Sequence, residues 1–215
     1  MFFQNLMKRG GGLRLPKSAM FNPKWEHPDF QREGATLTAF VLDVSGSMSL
    51  TDYLPTRLGA GKQAINAYSE NRRRHRPNDC VGLVTFETTA KVVCPLAWLD
   101  HPQQFQTFQR RLSNVEAGGA TRLDLGLSLA KDLLWCGNPS NRQDLNRPVR
   151  FYVLTDGHSE GRPERVAKQV KQAGIVIEIV GIGGSPDEVN EPVLKRCASV
   201  ENGKLLYRFI GDGDS

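Results

Sequence analysis

The chain has 215 residues, 39% of them apolar and 24% charged, which suits one soluble domain with a sizeable core. No apolar run approaches the ~20 residues that a bilayer-spanning helix needs, and the N-terminus lacks the basic region and apolar stretch of a secretory leader. The net charge of +5 is local: residues 1–35 carry six basic and three acidic side chains, residues 57–76 carry six basic and one acidic, and the remainder sums to −3, so basicity alone is no nucleic-acid signature.

Residues 1–35 contain Gly10-Gly11-Gly12, Pro16, Pro23 and Pro28 and show no sustained apolar period. They read as an irregular arm ahead of a domain over 36–215. From residue 36 the pattern becomes regular. A buried-type strand is expected over 36–43, then a helix over 57–71, with Leu58, Ala64, Ile65 and Tyr68 near one face. The next strand covers 80–87, and a short partner over 90–94 is closed by Pro95. Helices follow over 102–112 and 122–135, the second with Leu123, Leu127, Ala130 and Leu134 at helical spacing. Residues 149–155 and 175–180 are mainly apolar runs of the kind buried on both faces of a sheet. Helices over 162–173 and 187–200 and a last strand over 204–209 complete the chain. This alternation predicts an α/β fold, doubly wound and Rossmann-like, with a mainly parallel sheet covered on both faces and one short antiparallel edge strand.

Five residues scattered through this frame share one chemistry. Asp43, Ser45 and Ser47 follow the first strand directly, Thr121 follows Gly118-Gly119-Ala120, and Asp156 follows the run Phe151-Tyr152-Val153-Leu154-Thr155. Two carboxylates and three hydroxyls are hard oxygen donors, which suit Mg²⁺, with Mn²⁺ or Ca²⁺ as alternatives. Both aspartates stand at carboxyl ends of strands, where open α/β sheets bind ligands. Helix and turn capping by the same residue types is the simpler explanation of each one alone.

The pattern Asp43-x-Ser45-x-Ser47, Thr121 after a glycine pair, and Asp156-Gly157 resembles the von Willebrand factor A family and its metal-ion-dependent adhesion site. The segments 41–48 and 79–86 resemble its common bacterial form, and the likeness spans about 36–209. It implies that Ser45, Ser47 and Thr121 coordinate a cation directly. Asp43 and Asp156 would then act through water and hydrogen bonds, and an Asp or Glu of a partner protein would complete the shell. It also implies a non-enzymatic adaptor, a monomer by itself, in a bacterial multi-protein setting: an AAA+ ATPase, a kinase–phosphatase pair, or stress and tellurite-resistance machinery.

Other features were weighed against simpler explanations. Arg72, Arg73, Arg74 and Arg76 read as a solvated helix end; a nucleoprotein role would rest on them alone, and no aromatic residues interleave them. A phosphohydrolase with Asp43 as nucleophile would need a second Asp two residues on, where Ser45 stands. Gly181-Ile182-Gly183-Gly184 lacks the full dinucleotide fingerprint, since Pro186 occupies its last position. His158 is expected near the metal rim as a solvated loop residue. Cys80, Cys94, Cys136 and Cys197 are widely spaced and read as reduced thiols of a cytoplasmic protein.

Overall fold

The structure, a computed structural model, describes residues 34–135 and 148–211. The arm expected over 1–35 therefore lies outside the described residues, except for Gly34 and Ala35, as does Cys136.

Strand β1 (Leu37–Asp43) is buried at every position and occupies the middle of a six-stranded sheet. On one side it pairs in parallel with β2 (Cys80–Phe86), which turns back into the antiparallel edge strand β3 (Ala90–Trp98). On the other side lie β4 (Val149–Thr155), β5 (Val176–Ile182) and, at the far edge, β8 (Tyr207–Ile210), all parallel. The order is β3-β2-β1-β4-β5-β8. The chain leaves β1 toward β2 and later returns on the opposite side with β4. This reversal opens a crevice beyond the carboxyl ends of β1 and β4.

Alternating side chains of β1 serve two cores. Leu37, Ala39 and Val41 pack with Leu123, Leu127 and Ala130 of α3 (Leu123–Trp135), Ala167 and Val170 of α4 (Pro163–Gln172), and Leu194 of α5 (Glu191–Cys197). Phe40 and Leu42 face Leu58 and Ile65 of α1 (Arg57–His75) and Phe105 and Phe108 of α2 (Pro102–Ser113). A period of two along a strand requires this division once both faces are covered. Phe40, Tyr68 and Tyr152 meet edge-on or tilted at 5.2–6.1 Å between ring centres, a favourable geometry for aromatic quadrupoles.

Four boundaries differ from expectation. Strand β3 does not stop at Pro95 but runs through it to Trp98. An edge strand tolerates a residue that cannot donate, and the pairing with β2 shifts register around Gly82. Helix α1 continues past Asn71 to His75, because the arginines of its last turn are engaged. Arg72 ion-pairs with buried Asp79 and donates to Thr36 Oγ1 at 3.2 Å, and the Arg73 guanidinium lies 4.8 Å over the Phe105 ring.

The helix expected over 187–200 is instead a short 3₁₀ turn, Pro186–Glu188, followed by α5. The single last strand expected over 204–209 is divided. β6 (Val200–Glu201) and β7 (Lys204–Leu205) form a hairpin, and β8 begins separately. Asn202 and Gly203 both have positive φ, 52° and 75°, as a two-residue Asn-Gly turn requires.

Cys80, Cys94 and Cys197 are buried, and burial pushes the Cys94 and Cys197 thiols up to about 12. Among the described residues no helix is long and apolar enough to cross a membrane.

Candidate metal centre

The crevice between β1 and β4 collects the loops that carry the five oxygen donors. Leu42 pairs with Leu154, so one residue further Asp43 meets Thr155. The Thr155 hydroxyl donates to Asp43 Oδ2 at 2.5 Å, and the other carboxylate oxygen accepts the Ser45 amide at 2.8 Å. Asp43 is thus fixed in orientation from both sides while completely buried.

Beyond it the chain makes a 3₁₀ turn, Gly46–Ser49, in which the Met48 amide returns to the Ser45 carbonyl and the Met48 side chain is buried. Met48 anchors the turn from below. The Ser45 and Ser47 hydroxyls lie 3.2 Å apart beside it.

Thr121 reaches this crevice through backbone bonds. Gly118 donates to the Val44 carbonyl at 2.7 Å, and the Gly119 carbonyl accepts from Gly46 at 3.0 Å, so the glycine pair is laced directly onto the Ser45 turn. Lys62 of α1 supports the preceding segment by donating to the carbonyls of Ser113 and Val115. From the other side Glu160 donates to the Thr121 carbonyl at 3.0 Å, and the Ser159 hydroxyl accepts the Leu123 amide at the start of α3.

Asp156 is also fully buried. Its Oδ1 accepts the His158 amide at 3.3 Å, and Gly157 follows it with φ +80°, a left-handed conformation that lets the loop turn at once toward Thr121.

The electrostatics of the pair are uneven. The Asp43 carboxyl is pushed up to about 7, first by burial and then by the charge of Asp156; its hydrogen bonds to Ser45 and Thr155 act in the opposite direction. Asp156 faces a cation: Arg57 Nη1 lies 3.3 Å from Asp156 Oδ2. Arg57 is itself buried, and it also binds Asp52 through Nε at 2.9 Å and Glu188 through Nη2 at 2.8 Å. Its hydrogen bonds to Asp52, above all, hold that carboxyl down at about 2. Asp52 further accepts the Gly184 amide at 2.9 Å, so Gly183-Gly184 is a support for this network.

Two neighbouring buried carboxylates, with two hydroxyls at 3.2 Å beside them, fit a hard divalent cation in donor type. Among the described residues no three His, Cys, Asp or Glu side chains gather into a metal-binding group, so such a cation would depend on the hydroxyls.

All five sequence-predicted residues therefore stand at one end of the sheet, Asp43 as the last residue of β1 and the other four beyond the strands. His158 sits on its rim, exposed, with Nε2 2.7 Å from the Glu188 carbonyl. Thr155, Arg57, Asp52 and Glu188 lie outside the set that the sequence predicts. Arg57 carried a signal, since a cation in the first turn of a helix opposes the helix dipole and invites the question of what it neutralises. Asp52 and Glu188 carried none.

A model of the von Willebrand factor type A domain matches residues 38–158, more than half of the chain. The chain belongs to that family. Over 183 residues, or 84% of its length, it is 27% identical to the 26S proteasome non-ATPase regulatory subunit 4 of Drosophila melanogaster, of which it spans only 39%.

Two solved structures share the von Willebrand factor type A architecture. BatB from Bacteroides thetaiotaomicron aligns with a TM-score of 0.66 at 21% identity over 84% of this chain and 92% of that one. The VWA domain of SpRpn10 aligns with a TM-score of 0.65 at 18% identity over 84% and 90%. At these identities the likeness speaks for the fold.

Proposed function

We propose that this domain is a non-enzymatic, divalent-cation-dependent protein-binding module. Ser45, Ser47 and Thr121 would hold Mg²⁺ through their hydroxyls, and Asp43 and Asp156 would orient the shell. The observation that carries the reading is the lacing of three separate loops, from 43–47, 118–121 and 155–160, around two buried carboxylates at the sheet's switch point.

Neutral hydroxyls leave a bound cation strongly electrophilic, so a partner's Asp or Glu becomes a natural further ligand. A related protein named as a non-ATPase subunit of a large assembly supports a binding role over a catalytic one. The bacterial settings that fit are those where such a module serves an AAA+ ATPase, a kinase–phosphatase pair or stress-resistance machinery.

Affinity capture tests this. The wild-type chain in Mg²⁺ should retain a protein that is lost in EDTA and lost again with Asp43→Ala in Mg²⁺. A partner held equally in all three conditions would overturn the proposal.

A further inference from the structure

The rim around the candidate centre carries an apolar and acidic surface that the five donors leave unexplained. Among the described residues, the exposed large apolar side chains are Leu50, Leu54 and Val200, and the first two stand on the segment just after Ser47, exposed by 49% and 76%. That segment is held firmly: the Leu50 carbonyl accepts the Arg57 amide at 3.0 Å, and Asp52 is bound by Arg57 and by Gly184. The leucines are therefore displayed on a fixed support.

Beside them carboxylates outnumber cations. Asp52, Asp156 and Glu188 converge on the single buried guanidinium of Arg57, which leaves negative charge uncompensated, and exposed Asp187 adds to it, whereas Glu160 stands near Arg122, which pairs with Asp124.

This rim attracts a divalent cation but repels a bare acidic partner. A carboxylate directed at the cation approaches a rim whose negative side chains repel it over a screening length of about 8 Å. We infer that the edge receives an extended segment of a partner protein whose metal-directed carboxylate is flanked by a basic residue and an apolar one. The inference rests on the metal-dependent binding reading above. The basic residue meets the Asp187 and Glu188 side of the rim, and the apolar residue covers Leu50 and Leu54. Charge complementarity of this kind sets partner choice and encounter rate, and the acidic rim rejects segments rich in Asp and Glu.

The test is a displayed peptide library with a fixed central Asp and randomised flanks, panned on the full chain in Mg²⁺ and eluted with EDTA. Direct Mn²⁺ binding is measured on the same preparation. Eluted peptides should be enriched in Lys or Arg and in Leu, Ile or Phe close to the Asp. A synthetic peptide of that composition, tested at saturating Mg²⁺, should bind about tenfold more weakly to Asp187→Lys and to Leu54→Ser. EDTA-eluted peptides with neutral or acidic flanks would overturn the inference and leave the metal reading standing. Peptides retained in EDTA, with no Mn²⁺ bound, would overturn both.

Discussion

The two ends of the sheet carry opposite charge and use it differently. At the amino end the arginines that give the chain much of its basicity are tied into the fold. Arg72 pairs with Asp79, Arg73 covers Phe105, and Arg76 donates to the Gly34 carbonyl at 2.8 Å. At the carboxyl end a single buried arginine serves three carboxylates, and the surface around it is acidic. A chain of net charge +5 thus presents a negative edge where its candidate site lies. Net charge describes the whole molecule, whereas recognition depends on where the unpaired charge sits.

The largest effect that would break this contrast comes from its central residue. Arg57→Met leaves buried Asp156 without its cation and should cost about 3–5 kcal/mol in denaturant unfolding, as loss of one partner from a buried ion pair does. A change below about 1 kcal/mol would show that Arg57 is peripheral to the acidic end.

Next in size is a pH effect from Asp43. Its carboxyl titrates near 7 in the folded chain against 3.8 ordinarily. The folded state therefore holds the proton more tightly, and the stability that this contributes is complete below about 4 and lost as pH rises through about 7. Without metal, the melting temperature should fall between pH 5 and pH 8, and Mg²⁺ should raise it more at pH 8 than at pH 5. A Mg²⁺ increment that is larger at pH 5 would contradict the assigned carboxylate.

Smaller effects belong to the amino end. Arg72→Ala should cost about 1–3 kcal/mol because buried Asp79 loses its ion pair, and it should leave Mg²⁺ dependence untouched. Arg74, exposed, should tolerate Ala within about 0.5 kcal/mol. If nucleic acid bound the chain and Arg74→Ala weakened it, the amino end would be functional after all.

Much of this architecture is visible in the sequence, and the reasons are specific. Residues 149–155 are apolar except for Arg150 and Thr155 because β4 is covered on both faces, so its limits could be read directly. Asp43 and Asp156 mark strand ends because a carboxylate cannot continue into a dry sheet unpaired. The sequence predicts a β3 that ends at Pro95 because proline is normally a terminator, and only its place at an edge lets the strand run through. The β6–β7 hairpin is announced by Asn202-Gly203 alone, since two-residue strands carry too little apolar pattern. Arg57 meets Asp156 and Glu188 across 99 and 131 residues of chain, and pairing over such distances leaves no local period.

The most direct test of the central claim is Mn²⁺ binding followed by electron paramagnetic resonance, on the wild-type chain and on Ser45→Ala and Thr121→Ala. The account predicts one ion per wild-type chain, displaced by Mg²⁺, and loss of that ion in both variants while they stay folded. Binding that persists in both variants, or no binding by the wild type at neutral pH, would contradict it.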